Sequence, residues 1–280
     1  MERFQLFIFF LENLKYMVMK PFFCLGLLCI SFEFCFNLNA QNTMFIAHRG
    51  ASYDAPENTM AAVKLAWAKN ADAVEIDVHI SKDKRIMVIH DKDTRRTSGE
   101  KLVVKNTNSS ELRKVDVGGF KSKNFVGEKI PFLIEVIETI PSGKQLFIEV
   151  KCGTEILPCL KEIINNCEKK EQIVIIGFNF KLVEKVKNLL PDVLCYWLHF
   201  NVMGSYDLKW IEKAKHAGLD GLNFRFKGIT PEFTNAVHKA GLKMYTWTVD
   251  DPREAKRLIG LGIDGIITNR PEWLKNSLLN

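Results

Sequence analysis

Short apolar runs alternate with amphipathic helical stretches along most of this chain, and that alternation limits the possible folds more than any other feature. Nine runs read as strands: 44–48, 73–78, 86–90, 145–150, 173–178, 193–198, 221–226, 243–249 and 265–268. Between most of them lie stretches such as NTMAAVKLAWAKN, ILPCLKEIINNCEKK, KLVEKVKNLL, DLKWIEKAKHAG, TPEFTNAVHKAG and DPREAKRLIGLG, amphipathic at helical spacing. Gly218, Gly241 and Gly262 close three of these stretches, where a left-handed residue would end the helix before the next strand. Strand alternating with helix predicts a parallel sheet covered by helices. The number of units, without a dinucleotide-binding glycine fingerprint, favours an α/β fold closed as a (β/α)8 TIM-type barrel over an open sheet. The turn SKDK between 73–78 and 86–90 is too short for a helix. The barrel should therefore be slightly irregular there, with either a hairpin or two neighbours joined directly.

The 280 residues, 47% of them hydrophobic, suit one sizeable domain. A formal net charge of +6, scattered among acidic residues rather than gathered in a stripe, argues against nucleic-acid binding. The segment 19–40 has the layout of a secretory signal peptide: Lys20, an apolar run from Pro21 to Ile30, and Ala40 before Gln41. We therefore expect residues 1–40 to be an N-terminal extension and leader, with translation starting at Met17 or Met19, and residues 41–280 to form the exported domain, periplasmic or extracellular. The apolar run is short for a bilayer and Glu33 interrupts its continuation, so no stable membrane anchor is expected in the mature chain. Outside the leader stand Cys152, Cys159, Cys167 and Cys195, without a CxxC pair; they read as mostly buried small hydrophobes, with room for one disulfide. Residues 99–130 are polar, with Gly118, Gly119 and Gly127, and read as a long loop on the active-site face, either a lid or a decoration.

Candidate chemistry sits at strand ends. In VEIDVHI, Glu75 and Asp77 are two apart, so a strand points both carboxylates to one face. Two such charges ionise together readily only with a cation between them, and an all-oxygen set favours Mg²⁺ or Ca²⁺; a solvated edge-strand pair is the alternative. Upstream, FIAH ends in His48, Arg49 and Gly50, where glycine frees the backbone to turn; downstream, IMVIH ends in His90 and Asp91. These residues supply a fork-shaped phosphate donor and two groups that move protons near neutral pH.

Taken together, the pieces resemble the glycerophosphodiester phosphodiesterase family. The matching elements are HRG at 48–50, PENT at 56–59, E-x-D at 75–77 followed by Ser81 and Asp83, and V-x-H-D at 88–91. IEVK at 148–151, YTWTV at 245–249 and GIDGIITNRP at 262–271 continue the match, which runs from about Met44 to about Trp273. The resemblance implies a divalent metal held by Glu75, Asp77 and Glu149, general acid–base work by His48 and His90, and phosphate contacts from Arg49 and Lys151. It further implies that Glu57 and Asn58 brace the site and that the substrate is a small glycerophosphodiester, cleaved to glycerol 3-phosphate and an alcohol. The nucleophile is then the substrate's own glycerol hydroxyl, giving a cyclic phosphate, or water. Trp247, closing MYTW, walls the pocket or is buried between sheet and helices. His79 is expected on the opposite face of its strand from the carboxylates, His199 within reach of the site but outside the family pattern, and His216 and His238 on exposed helix faces. Two positions depart from the family: Asn269 stands where aspartate is common, and Gly177 where serine is usual. Both are expected to bear on substrate preference rather than catalysis. A phospholipase of the C or D kind acting on intact lipid, and a non-catalytic phosphate-binding barrel, are the alternative classes; the first would expose apolar groups near the site, as Phe120 and Phe125 allow.

Overall fold

A computed structural model describes residues 43–200 and 207–279. The expected leader, its cleavage site and the two candidate start methionines lie outside these residues. The chain enters on β1 (Met44–Ala47), and α1 (Met60–Ala68) carries it back to β2 (Ala73–Ile80). After β3 (Ile86–Val88) comes an excursion holding α2 (Arg95–Ser98), α3 (Ser109–Leu112) and α4 (Leu133–Glu138). From there the alternation is regular, through β4 (Gln145–Val150), α5 (Leu157–Asn166), β5 (Ile173–Gly177), α6 (Phe180–Leu189) and β6 (Leu194–His199). It continues through α7 (Lys209–His216), β7 (Gly221–Arg225), α8 (Pro231–Lys239) and β8 (Lys243–Trp247). The chain closes with α9 (Pro252–Gly260), β9 (Gly265–Thr268) and α10 (Pro271–Ser277).

The strands follow the order β1-β9-β8-β7-β6-β5-β4-β2, and β1 pairs in parallel with both β2 and β9, so the sheet closes into a (β/α)8 barrel. The irregularity at SKDK is a hairpin: β3 runs antiparallel to the end of β2, with Val78 opposite Val88 and Ile80 opposite Ile86. Pairing of β2 with β4 stops at Val78 opposite Val150, so the hairpin stands on the carboxyl rim and lifts His90 beside the mouth.

Alternation along each strand sorts the core into two layers. Val74, Ile76, Leu146, Ile148, Ile173 and Ile175 face the helices. Ile46, Phe147, Val174, Tyr196, Tyr245 and Ile267 fill the barrel. Inside, the Phe147 and Tyr245 rings lie 5.4 Å apart and Tyr196 stacks on Tyr245 at 4.9 Å. Gly265 makes room for them, since a Cβ there would fall 2.4 Å from Tyr245 Cε1. Gly265→Ala should accordingly cost about 1–3 kcal/mol through overpacking, read as a thermal midpoint lower by about 2–4 °C per kcal/mol. An unchanged melt would show that the rings have slack.

Residues 99–130 depart from the expectation of a bare polar loop. Val104, Leu112, Val115, Val117 and Ile130 pack with Met87 and Ile89 of the hairpin region into a small core of their own. These apolar residues are sparse and aperiodic, so neither helical nor strand spacing announces them. The four described cysteines are all free; only Cys195 is buried, and the disulfide allowed by the sequence is not formed.

Candidate active site

The turn after β1 builds one wall of the site. Arg49 and Gly50 both take the left-handed conformation, at φ of 56° and 79°. Any Cβ at Gly50 would lie 2.6 Å from the carbonyl carbon of Ala62, so α1 abuts the turn at a place where only glycine fits. The turn aims the Arg49 backbone N–H at Glu75 Oε2, 2.9 Å away.

Glu75, Asp77 and Glu149 point inward from neighbouring β2 and β4, with Asp77 directly opposite Glu149. One oxygen from each lies within 4.8 Å of the others, and all three residues are buried. Glu75 Oε1 has no hydrogen-bond partner. Burial, with the neighbouring Asp77 and Glu149 charges, raises the Glu75 carboxyl well above its ordinary range. Burial and Asp77 push Glu149 up to about 7. Three converging buried carboxylates with an orphan oxygen fit a hard divalent cation, which would satisfy the oxygen and cancel the repulsion. Asn58 braces the trio: its Nδ2 donates to Asp77 Oδ2 at 2.8 Å while its Oδ1 accepts from the Asp77 backbone N–H at 3.0 Å.

Cations ring the carboxylates. Lys151 Nζ is 2.7 Å from Glu149 Oε1 and 3.6 Å from Asp77 Oδ1. Arg49 Nε is 3.2 Å from Asp77 Oδ2, and its Nη1 donates to Glu57 Oε1 at 2.8 Å. Arg96 takes both Glu57 oxygens at 2.7 Å and passes Nε to Asp91 Oδ2, also at 2.7 Å. Burial works against the Glu57 charge, yet the bonds from Arg96 and Arg49 outweigh it and hold the carboxyl at about 2. Arg96 is absent from the residues the sequence singles out; it comes from the excursion, whose fold no local pattern reveals.

The histidines are held differently. His90 Nδ1 donates to Asp91 Oδ1 at 2.6 Å, and its Nε2 lies 3.2 Å from Lys151 Nζ. His48 Nδ1 meets Asn269 Oδ1 at 2.7 Å. Burial, and then the adjacent Arg49 charge, lower the His48 pKa below the ordinary imidazole value. Asn269, expected to lie outside the metal and histidine set, is thus a direct hydrogen-bond partner of His48. Gly177 is buried on the helix-facing side of β5, where a Cβ would touch Val183.

His48, Arg49, Glu75, His90, Glu149, Lys151 and Trp247 line one cavity of about 160 Å³. Its other side is apolar, with Phe178 stacked on Phe200 at 4.6 Å and edge-on to Trp247 at 5.5 Å. Trp247 therefore walls the pocket rather than filling the helix–sheet layer. His79 is two residues from Asp77 and shares its side of β2, contrary to the expectation. It stays out of the trio because it lies beyond the barrel pairing, where its Nε2 donates to the His90 carbonyl at 3.0 Å. His199 turns away from the cavity into the outer layer, against Trp210 at 4.1 Å and Phe224 at 5.3 Å. His216 and His238 sit on the outer helices, the latter 2.7 Å from Asp264.

Cationic donors facing a carboxylate trio, with two imidazoles beside them at the carboxyl mouth of a parallel barrel, define a class: the barrels that cleave phosphate esters. The chain belongs to the glycerophosphoryl diester phosphodiesterase family, which matches residues 48–273. A glycerophosphodiester phosphodiesterase of Caldanaerobacter subterraneus is 36% identical, over 84% of this chain and 98% of the relative. A mouse lysophospholipase D is 29% identical, over 84% of this chain and 86% of its own length. Among solved structures, an Oleispira antarctica phosphodiesterase in complex with the product sn-glycerol-3-phosphate superposes with a TM-score of 0.79. It is 26% identical and covers 86% of this chain and 98% of that one.

Proposed function

We propose that this enzyme hydrolyses deacylated phospholipids such as glycerophosphocholine to glycerol 3-phosphate and an alcohol, with a divalent cation held by Glu75, Asp77 and Glu149. The observation that carries the reading is the buried trio with its orphan Glu75 oxygen, of which Glu75 and Glu149 line the same small cavity as both histidines. When bound, the cation would neutralise phosphate charge and favour an oxygen nucleophile. Arg49 and Lys151 would hold the phosphate oxygens, and the Trp247, Phe178 and Phe200 rings would exclude water around the glycerol arm. His48, neutral because burial disfavours its charge, would take the nucleophile's proton. His90, with the Asp91 carboxylate behind it, would give one to the leaving oxygen. Glu57 and Arg96 tie Arg49 to Asp91 and so set the separation of the phosphate donor and the acid. From the leader-like segment we also infer export to the periplasm or beyond.

A second reading, action on lysophospholipid at a lipid surface, draws on exposed Tyr53, Phe120, Val126 and Trp273. Lys121 reaches the Ser52 carbonyl from this group and Arg270 lies between Tyr53 and Trp273, on the side where Ser52 meets Asn269. Release of glycerol 3-phosphate from glycerophosphocholine by the purified protein tests the main reading. We expect turnover that a chelator abolishes and Mg²⁺ or Ca²⁺ restores. Turnover of lysophosphatidylcholine micelles alone would favour the second.

A further inference from the structure

His48 is gripped by a relay whose far end is a carboxylate. Asp250 Oδ1 accepts from the Thr268 hydroxyl at 2.8 Å and from the Asn269 backbone N–H at 2.9 Å. Its Oδ2 stands 2.6 Å from the Asn269 side chain. A carboxylate in this setting only accepts, so the Asn269 amide must turn its Nδ2 toward Asp250. Its Oδ1 then faces His48, where it also accepts from the Ser52 hydroxyl at 3.1 Å. An oxygen facing Nδ1 requires that Nδ1 carry the proton. The Nε2 lone pair is left for the cavity.

We propose that Asp250, acting through Asn269, fixes the tautomer of His48 and so makes it a proton acceptor. Asp250 touches no reacting atom and is a positioning residue. The proposal rests on the base role given to His48 above, but its first consequence, the site of the ring proton, is measurable without turnover. Substituting Asp250→Asn removes the only part of the relay that cannot donate. The new amide can offer its own NH₂ to Asn269, which is then free to turn its Nδ2 toward His48 and move the ring proton to Nε2. Adding Asn269→Asp to that variant reverses the relay. The amide introduced at position 250 would donate to the new carboxylate at position 269, which would accept from His48 Nδ1–H and restore the original tautomer. The charged groups facing His48 are otherwise the same: Arg49 on its own turn, Asp77 on β2 and Glu57 before α1.

The test is ¹⁵N NMR of histidine-labelled protein, with His48 assigned by its loss in His48→Gln, beside turnover of glycerophosphocholine across pH. The protein as it stands should show the Nδ1–H tautomer. Asp250→Asn should shift His48 toward Nε2–H and lower kcat by at least about 10²-fold, the scale of a misdirected base. The double variant should regain Nδ1–H and turnover within about tenfold. Its acid limb should lie at higher pH, because a carboxylate now touches the imidazole. An Asp250→Asn protein that keeps Nδ1–H, or a double variant no better than the single one in tautomer and turnover, would overturn the proposal. If the tautomer moves while turnover does not, the base role of His48 falls, and with it the claim that the relay serves proton transfer.

Discussion

Removing the His90 imidazole, in His90→Ala, is expected to slow release of choline from glycerophosphocholine by about 10³-fold, within the usual worth of a positioned acid. The thermal midpoint should move little. His90 is about 29% exposed at its side chain, and Asp91 keeps its bond to Arg96, so no buried charge is orphaned by the change. The leaving group supplies the sharper test. Choline departs as a strongly basic alkoxide and needs a proton as the bond to phosphorus breaks, whereas p-nitrophenolate departs unaided. The same variant should therefore lose only about tenfold on glycerophospho-p-nitrophenol, because general-acid catalysis matters in proportion to leaving-group basicity. Equal losses on both substrates would remove His90 from the acid role. His48→Ala should slow both substrates alike, since a base acts on the nucleophile whatever departs.

The barrel was legible because it is written in periodicities. Two-residue alternation in the strands and three-to-four-residue spacing in the helices set strand positions to within a few residues, and Gly218, Gly241 and Gly262 adopt positive φ as helix ends should. The carboxylates were legible for the same reason, since Glu75, Asp77 and Glu149 inherit their inward direction from strand parity. That rule, applied to His79, puts it with Asp77 and not opposite it; what keeps it from the trio is the antiparallel hairpin, which parity does not encode. The supports were harder to see. Arg96 arrives on an excursion held by scattered apolar residues, and Asp250 and Asn269 lie 19 residues apart before the β8–β9 crossover joins them. A long-range hydrogen bond leaves no trace in local spacing.

Replacing Glu75 by glutamine should give opposite results with and without metal, and that opposition tests the trio. Glu75 and Glu149 both hold raised pKa values in the fold, the latter about 7. The folded protein without metal therefore binds more protons than the unfolded chain, and its stability from these groups is full below about 4.5 and falls as pH rises through about 7. Glutamine removes one of the three charges while its carbonyl can still accept the Arg49 backbone N–H. Its amide can replace the orphan Oε1 with a donor facing Asp77 or Glu149. At pH 8 with chelator, Glu75→Gln should thus melt higher than the parent, although it is a substitution in the active site. With Mg²⁺ or Ca²⁺ the order should reverse. A cation at about a hundred times its Kd stabilises the parent by about 2.7 kcal/mol, or about 5–11 °C at this size; the variant should gain little. Turnover of Glu75→Gln should be lost at every metal concentration tested. If the variant instead melts lower in chelator and responds to metal as the parent does, the trio is held by Arg49 and Lys151 alone, and the cation sits elsewhere.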